Sequence, residues 1–185
     1  YPSWYGTVLV ESTGKPKTYH LPYLAKPIPQ TTRPCPQAYV LLPGHPETES
    51  LLLRHGCTLL QLSDRVQIEG SRLDMSHIKP TDQMFQGHVL MEISGSWSHQ
   101  TLSLPPRSIL LPMNGPLARI LPVLMEPESD DSLARWGFFN RTLIQQWTNR
   151  PDIYPVLRIE SEDVLNTLLS CSTVFLNETG ITQEK

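Results

Sequence analysis

The chain has 185 residues, a formal net charge of −3, 18% charged residues and 18 prolines, which fits one domain, or one domain with an extended arm, and disfavours long uninterrupted helices. This composition excludes collagen, coiled coils and transmembrane bundles, and no apolar run approaches the roughly 20 residues of a membrane-spanning helix. Because Lys and Arg are scattered and form no basic stripe, we expect no nucleic-acid partner and no membrane partner.

Residues 1–36 predict an N-terminal hairpin followed by a proline-rich strap. Residues 7–11 indicate a short strand, a Gly-containing turn follows, and residues 17–21 can return as the second strand. The prolines between residues 22 and 36 favour an extended, polyproline-like connector. A ligand for a proline-binding protein is the alternative interpretation of this strap.

Residues 37–160 predict an α+β domain that begins with a strand–helix–strand unit. Residues 38–43 and 57–62 are apolar runs bounded by Pro or turn residues, which is typical of buried strands. Residues 47–55 between them indicate a short helix that stops at Gly56. Short connections between these elements favour a βαβ unit with two parallel strands, so we expect a mixed sheet.

A β-hairpin and a further buried strand are expected next. Residues 88–94 alternate in polarity, Gly95 and Ser96 suit a hairpin turn, and residues 97–104 return as the second strand. Residues 108–112 form an apolar run that ends at Pro112, which indicates another buried strand.

Two short helices are expected to pack on this sheet. The first spans residues 117–125 and should be kinked at Pro122. The second starts near Ser129, which can cap it beside two Asp residues, and it places five apolar residues on one face: Leu133, Trp136, Phe139, Leu143 and Trp147. Residues 154–159 indicate another strand, and residues 161–185 indicate a C-terminal helix followed by a tail.

Residues suited to catalysis or metal binding are sparse. The histidines at positions 45, 77, 88 and 99 lack the short ligand spacings of a zinc site, and the chain has no pair of CxxC motifs, no GxSxG elbow and no Gly-rich phosphate loop. The three cysteines are odd in number and widely spaced, which does not indicate a disulfide framework. The acidic residues 126–131 fit a helix end charged to match its dipole, with a paired-carboxylate site as the alternative. The residues alone therefore predict no catalytic residue, no metal ligand and no cofactor in this chain.

Residues 117–140 resemble a known protein family. They combine an apolar helix with the motif Glu126-Pro127-Glu128-Ser129-Asp130-Asp131 and the aromatic group Trp136-Gly137-Phe138-Phe139. This arrangement is similar to the region that follows the catalytic domain in large, mainly bacterial zinc carboxypeptidases, the carboxypeptidase A-like metallopeptidases. Weaker matches extend the resemblance over residues 38–158, and they lie at residues 39–43, 52–56, 85–88, 109–112 and 154–156.

The resemblance implies a non-catalytic C-terminal region of a zinc-dependent metallocarboxypeptidase-like protein, which supports or docks on the peptidase domain of the parent chain. The chemistry of that family needs a His-x-x-Glu pair and a later His on zinc, and this chain contains no His-x-x-Glu. We therefore expect the zinc in a separate catalytic domain, and the start at Tyr1 rather than Met agrees with a fragment. The alternative is an independent protein-interaction or structural module without enzyme activity. The resemblance favours a soluble protein that is secreted or located in the bacterial periplasm.

Trp136, Phe138 and Phe139 are the candidate interface residues. On a helix, Phe138 falls about 200° from Trp136, so Trp136 and Phe139 can serve the core of the domain while Phe138 needs a second apolar surface. That surface lies either elsewhere in this chain or on the peptidase domain. If nothing covers Phe138, the isolated chain is expected to self-associate.

Overall fold

The structure is a computed structural model that describes residues 2–3, 6–7, 12–26, 28–29, 32–115, 118–144, 153–171, 173–176 and 183–184. The chain separates into two compact units, Tyr1–Arg33 and Pro34–Lys185. No helix in the described ranges is long and apolar enough to cross a membrane.

The first unit contains one short ladder, in which β1 (Pro2–Ser3) pairs antiparallel with β2 (Gly6–Thr7). Residues 12–26 contain neither helix nor strand, and they are exposed. The expected return strand at residues 17–21 is therefore wrong. Pro16 and Pro22 flank this segment, and each lacks the N–H donor that a strand would present on one of its two edges. Most of the predicted first strand, residues 8–11, lies outside the described residues.

The second unit is built on one eight-stranded sheet in the order β10-β9-β4-β7-β3-β8-β5-β6. Every pair of neighbouring strands in it is antiparallel. The α+β class is confirmed. The strands are β3 (Ala38–Leu41), β4 (Leu60–Leu62), β5 (Val66–Phe85), β6 (His88–Leu104), β7 (Ile109–Pro112), β8 (Val156–Ile159), β9 (Thr173–Phe175) and β10 (Gln183–Glu184).

The expected strand–helix–strand unit is present, but the sheet is not mixed. Strand β3 leads through α1 (Pro46–Arg54) to β4, and both strands pair antiparallel with β7, which lies between them. Strands β3 and β4 therefore run in the same direction without being neighbours. The sequence pattern shows which segments are buried strands. It does not show that β7, which begins more than 40 residues after β4, lies between β3 and β4.

The hairpin of β5 and β6 is longer than predicted, and its turn lies elsewhere. The two turn residues are Gln86 and Gly87, with φ of 49° and 82°, and the tip of the ladder pairs Phe85 with His88. A two-residue turn with two positive φ angles matches the right-handed twist of the strands. The predicted turn at Gly95 and Ser96 is therefore wrong, because Gly95 lies within β6 and pairs with Met75.

Gly95 is required by close packing against the partner strand, beside the irregularity between Met75 and His77. A Cβ atom at Gly95 would lie 2.5 Å from the carbonyl oxygen of Asp74 and 3.0 Å from Cα of Met75, both backbone atoms. Gly95→Ala should therefore lower the free energy of unfolding by about 1–3 kcal/mol, the usual cost of overpacking. Urea denaturation measures this loss, and Ser96→Ala at the next, exposed position is the control. Equal midpoints for Gly95→Ala and the wild type would contradict the close approach.

The sheet buries apolar side chains on both faces. Strand β3 shows the division, since Tyr39 and Leu41 belong to one cluster while Ala38 and Val40 belong to the other. The first cluster includes residues of α1, of α2 (Ile120–Met125), of α3 (Asn140–Leu143) and of the distal half of the hairpin. The second cluster is covered by α4 (Glu162–Ser170) through Leu168, with Val164 and Leu165 packed against it. The continuous apolar run of β3 thus follows from its burial on two faces.

The helices after β7 differ from the prediction. Helix α2 is Ile120–Met125, so Pro122 lies in its first turn, where its missing N–H is not needed, and the expected kink is wrong. Residues 127–139 form successive turns instead of a helix, and α3 covers only Asn140–Leu143. Gly137, with φ of 83°, interrupts any helix through this segment. The C-terminal helix is confirmed as α4, and β9 and β10 follow it.

Candidate functional site

Phe139, one of the three candidate interface residues, belongs to the core of the domain. Its side chain is fully buried. Its ring makes edge contacts with His45, at 5.1 Å between centroids, and with Tyr154, at 5.9 Å. Phe139 therefore holds the turn segment against the sheet and is not available to a partner.

Trp136 is half-buried beneath the tip of the hairpin. Its ring contacts His88 at 5.4 Å and Phe85 at 6.2 Å between centroids, both at steep interplanar angles. The backbone N–H of Met91 in β6 also donates to the carbonyl oxygen of Arg135, at 2.8 Å. Trp136 and Arg135 thus fix the hairpin to the turn segment, and neither contact follows from the helical spacing of the sequence.

Phe138 remains on the surface, with 36% of its side chain exposed. Three apolar residues at the hairpin tip are more exposed: Met84 at 66%, Phe85 at 51% and Val89 at 50%. We call Met84, Phe85 and Val89 the hairpin-tip surface. Of the three candidate residues, the structure assigns one to the core, one to an internal contact and one to the surface. The interface itself stays a prediction.

A buried charge cluster, which was not expected from the sequence, is formed by Arg158, Glu126, Glu160 and Tyr39. Arg158 in β8 is opposite Tyr39 in β3 and is only 5% exposed. Its Nε lies 3.6 Å from Oε1 of Glu126 and 3.8 Å from Oε1 of Glu160. The guanidinium stacks over the ring of Trp97, at 5.2 Å from the centroid.

The same cluster joins three parts of the chain by hydrogen bonds. The hydroxyl of Tyr39 donates to Oε1 of Glu126, at 2.7 Å, and Arg158 donates from Nη2 to the carbonyl oxygen of Pro34. Burial, followed by the hydrogen bond to Glu126, raises the pKa of Tyr39 far above its usual range, so its hydroxyl stays protonated as a donor. The cluster therefore ties the end of α2 and the segment before β3 to strand β8.

The charge cluster is a structural anchor because its polar atoms face one another inside the domain. Its hydrogen bonds are incomplete, because Oε2 of Glu126 and Nε of Arg158 are buried and make no hydrogen bond within the described part of the chain. Leaving buried charged groups without hydrogen bonds lowers the stability of the fold, so the two opposite charges depend on each other. One sequence signal could have revealed it: Arg158 is the single charged residue in the apolar run Val156–Ile159. A charged residue inside a buried strand requires a partner.

The remaining acidic residues and the histidines do not assemble into a metal site in the described ranges. Glu126 belongs to the charge cluster, whereas Asp130 and Asp131 are exposed. The histidines at positions 77, 88 and 99 are exposed and distributed over β5 and β6. No group of three or more His, Cys, Asp or Glu side chains in the described residues could hold a metal ion. These residues do not fit the zinc ligand set that the resemblance implies for a peptidase domain.

His45 is buried at the start of α1, where its ring packs against Phe139. Burial lowers the pKa of His45 below its usual value near 6.5, because the charged imidazolium is poorly solvated there. The unfolded chain then binds more protons than the folded chain as the pH falls below 6.5. The free energy of unfolding should therefore decrease on acidification, with a slope of at most about 1.4 kcal/mol per pH unit.

Urea titrations of the wild type and of His45→Gln between about pH 5 and 8 test this slope, which the substitution should reduce. Glu49 is the control, because burial raises its pKa and its contribution has the opposite sign, with stability lost as the pH rises above 4.5. Glu49→Gln should leave the loss below pH 6.5 in place. An unchanged slope in His45→Gln would show that the folded and unfolded chains protonate His45 equally, so that burial does not lower its pKa.

A small cavity of about 90 Å³ lies between the end of α1 and the loop after β7. Cys57 and Ala118 are among its lining residues. Burial raises the pKa of the Cys57 thiol, so the thiol stays protonated and is a poor nucleophile. The cavity is too small for a substrate and holds at most a few water molecules.

Comparison with known proteins shows a distant similarity to a fungal carboxypeptidase. The chain is 26% identical over 132 residues to Carboxypeptidase 2 from Trichophyton rubrum, which covers 71% of this chain and 23% of that protein. The chain thus spans less than a quarter of this fungal relative. No protein-family model matches the chain, and no solved structure matches it. This similarity supports a distant carboxypeptidase-like relationship, and it supports neither a bacterial origin nor a place after a catalytic domain.

Proposed function

We propose that this chain is a non-catalytic region of a zinc-dependent carboxypeptidase-like protein, and that it supports or docks on the peptidase domain. The observation that carries the proposal is the similarity to a fungal carboxypeptidase over 71% of this chain but only 23% of that protein. Most of such a parent would lie outside the 185 residues. A position after the peptidase domain and a secreted or periplasmic location are parts of the same proposal.

The residues of this chain support a structural role more than a chemical one. The buried polar group formed by Arg158, Glu126 and Tyr39 is used internally to join strands and loops. The sequence contains no His-x-x-Glu, the pair that the resembled family uses to hold zinc. In this proposal the zinc ligands therefore come from another part of the parent protein.

The docking part of the proposal rests on the hairpin-tip surface. Its three residues expose half or more of their side chains, and the tip is held in place by Trp136. Rigid, exposed apolar residues are typical of protein contact sites. An independent protein-interaction module, the alternative function, would use the same surface.

The complete reading frame that encodes this chain distinguishes the two functions. A neighbouring segment that contains His-x-x-Glu followed by a distant His supports the peptidase parent. With such a segment in hand, the two parts can be produced separately and mixed in a titration calorimeter. Binding that weakens in Met84→Ser but not in Asp82→Ser, an exposed polar position on the same hairpin, supports docking at the hairpin tip. A start codon directly before Tyr1 would refute the peptidase parent and favour the independent module.

The purified chain should release no amino acid from the C-terminus of a peptide, with or without added zinc. The reason is the missing ligand pair in its sequence. A peptide with a chromophore before the terminal residue allows the assay to be followed by absorbance. Zinc-dependent turnover at the ordinary rate of an enzyme, roughly 1–10³ per second, would refute the non-catalytic role. A known carboxypeptidase assayed in parallel is the positive control.

A further inference from the structure

Residues 12–29 contain a basic, apolar segment that the proposed function does not use. Five of its large apolar side chains are exposed by about two thirds or more: Tyr19 at 66%, Leu21 at 79%, Tyr23 at 92%, Leu24 at 84% and Ile28 at 83%. Such a density of exposed apolar side chains is unusual outside a binding segment. Because the described residues 12–26 have no helix or strand, the segment is free to adopt the conformation of a partner.

The apolar residues alternate as in an extended strand. Tyr19, Leu21 and Tyr23 are two residues apart, so in an extended chain they lie on one side. The structure already shows this spacing, since Nζ of Lys17 lies 4.9 Å above the ring of Tyr19. Pro22 lies between Leu21 and Tyr23, so in an extended chain its side chain is on the opposite side. In a strand, the N–H and C=O groups of alternate residues point to opposite edges. Pro22 has no N–H, so a donor is missing from the edge to which the even-numbered residues point. The N–H groups of Tyr19, Leu21 and Tyr23 point to the opposite edge, which can pair with another strand.

This chain also provides an acceptor edge for such a strand. Strand β6 is the last strand of the sheet order. The N–H of Met91 donates to the carbonyl oxygen of Arg135 and not to β5. Because the backbone groups of alternate residues point to opposite edges, the N–H and C=O groups of the odd-numbered residues of β6 point away from β5, to the outer edge of the sheet. Between Trp97 and Ser103 no described strand pairs with this outer edge. An unpaired edge of this length is a template for an added strand.

The charges of the two parts are complementary. Residues 12–29 carry three lysines and no Asp or Glu, whereas the rest of the chain carries 12 Lys and Arg against 18 Asp and Glu. Close to the free edge, the side chain of Glu69 is 54% exposed and accepts a hydrogen bond from Thr101 at 2.6 Å. An acidic group beside the edge favours the approach of Lys15 and Lys17 from another molecule.

We propose that residues 17–24 of one copy of this chain add as a strand to the outer edge of β6, between Trp97 and Ser103, in a second copy. Main-chain hydrogen bonds of Tyr19, Leu21 and Tyr23 supply the pairing, and their side chains supply the apolar contact. Pro22 faces away from the acceptor and prevents a further strand from adding to the new edge. This pairing does not depend on a carboxypeptidase parent.

Sedimentation equilibrium of the full chain tests the proposal. Leu21→Ser should raise the dissociation constant of the dimer about tenfold or more, the effect of losing one buried leucine. Leu24→Ser is the matched control, because it makes the same change in the other register and should alter the dissociation constant by less than about twofold. High salt should weaken the wild-type dimer by screening the lysines.

Two variants test the acceptor edge. Thr101→Pro removes an outward N–H from β6 and leaves the main-chain bonds to β5 in place, so it should abolish the dimer. It also removes the side-chain hydrogen bond from Thr101 to Glu69. The urea midpoint should therefore stay close to that of Thr101→Val, which loses only this side-chain bond. If Thr101→Pro lowers the midpoint, Ser103→Pro tests the same edge one pair further along. A dimer that survives the proline substitutions would refute β6 as the acceptor.

Three other results would overturn the proposal. A chain that is monomeric at all concentrations has no such pairing. Equal weakening by Leu21→Ser and Leu24→Ser would indicate unspecific apolar association instead of strand addition. A monomer whose urea midpoint falls in Leu21→Ser would show that residues 17–24 pack on their own chain.

Discussion

Phe139→Ala is expected to lower the free energy of unfolding by about 3–5 kcal/mol, the range for a large aromatic side chain removed from a core. Phe139 is fully buried and packs between His45 and Tyr154. Tyr154 is itself buried and donates a hydrogen bond to the carbonyl oxygen of Met125 at 2.7 Å. The substitution therefore opens a cavity where α1, the turn segment and β8 meet. Urea denaturation followed by tryptophan fluorescence measures the loss.

Phe138→Ala is the matched control, because it makes the same change at the next residue. Phe138 exposes 36% of its side chain, so its removal should cost less than about 1.5 kcal/mol. Phe138→Ser should in addition raise the solubility of the isolated chain, as expected for an exposed apolar residue. If the losses for Phe138→Ala and Phe139→Ala were equal, Phe138 would belong to the core and could not serve as a docking residue.

Glu126→Gln is expected to lower the free energy of unfolding by about 3 kcal/mol, because it leaves the buried guanidinium of Arg158 without its main countercharge. The amide oxygen of Gln can still accept the hydrogen bond from Tyr39, which Glu126 accepts at 2.7 Å. The variant thus isolates the effect of the charge. Urea midpoints at pH 7 provide the measurement.

Two further variants define this result. Glu160 also faces Arg158, at 3.8 Å, but its side chain is 39% exposed, so Glu160→Gln should cost less than about 1 kcal/mol. The double variant Glu126→Gln with Arg158→Met should be more stable than Glu126→Gln alone, since it removes the uncompensated charge. A double variant that is less stable than either single variant would show that the contacts of Arg158 with the carbonyl oxygen of Pro34 and the ring of Trp97 outweigh the uncompensated charge.

The buried strands and two of the helices could be predicted from the sequence. The apolar runs at β3 and β7 are continuous, and the run at β8 is interrupted only by Arg158, because both faces of these strands are covered. Helix α1 ends before Gly56, whose φ is 74°, as expected for a glycine stop. These features depend on local periodicity and on single residues with special backbone angles, which a sequence shows directly.

The position of the hairpin turn could not be predicted in the same way. Gly95 and Ser96 have the composition of a turn, and Gln86 and Gly87 have it too. Gly95 differs from Gly87 in its surroundings, because the carbonyl oxygen of Asp74 would lie 2.5 Å from a Cβ atom at position 95, whereas no atom beyond the adjacent residues lies within 4 Å of a Cβ atom at position 87. Gly95 is therefore needed by a neighbouring strand, a cause that the residues around it do not reveal.

The sequence by itself determined the α+β class, the buried strands and the aromatic character of residues 136–139. Only the tertiary structure decided the antiparallel order of the sheet, the burial of Phe139 beside the exposed Phe138, and the pairing of Arg158 with Glu126. Each of these depends on residues far apart in the chain, such as Tyr39 opposite Arg158. Local preferences fix which residues avoid water, whereas the packing of distant segments fixes which partner covers them.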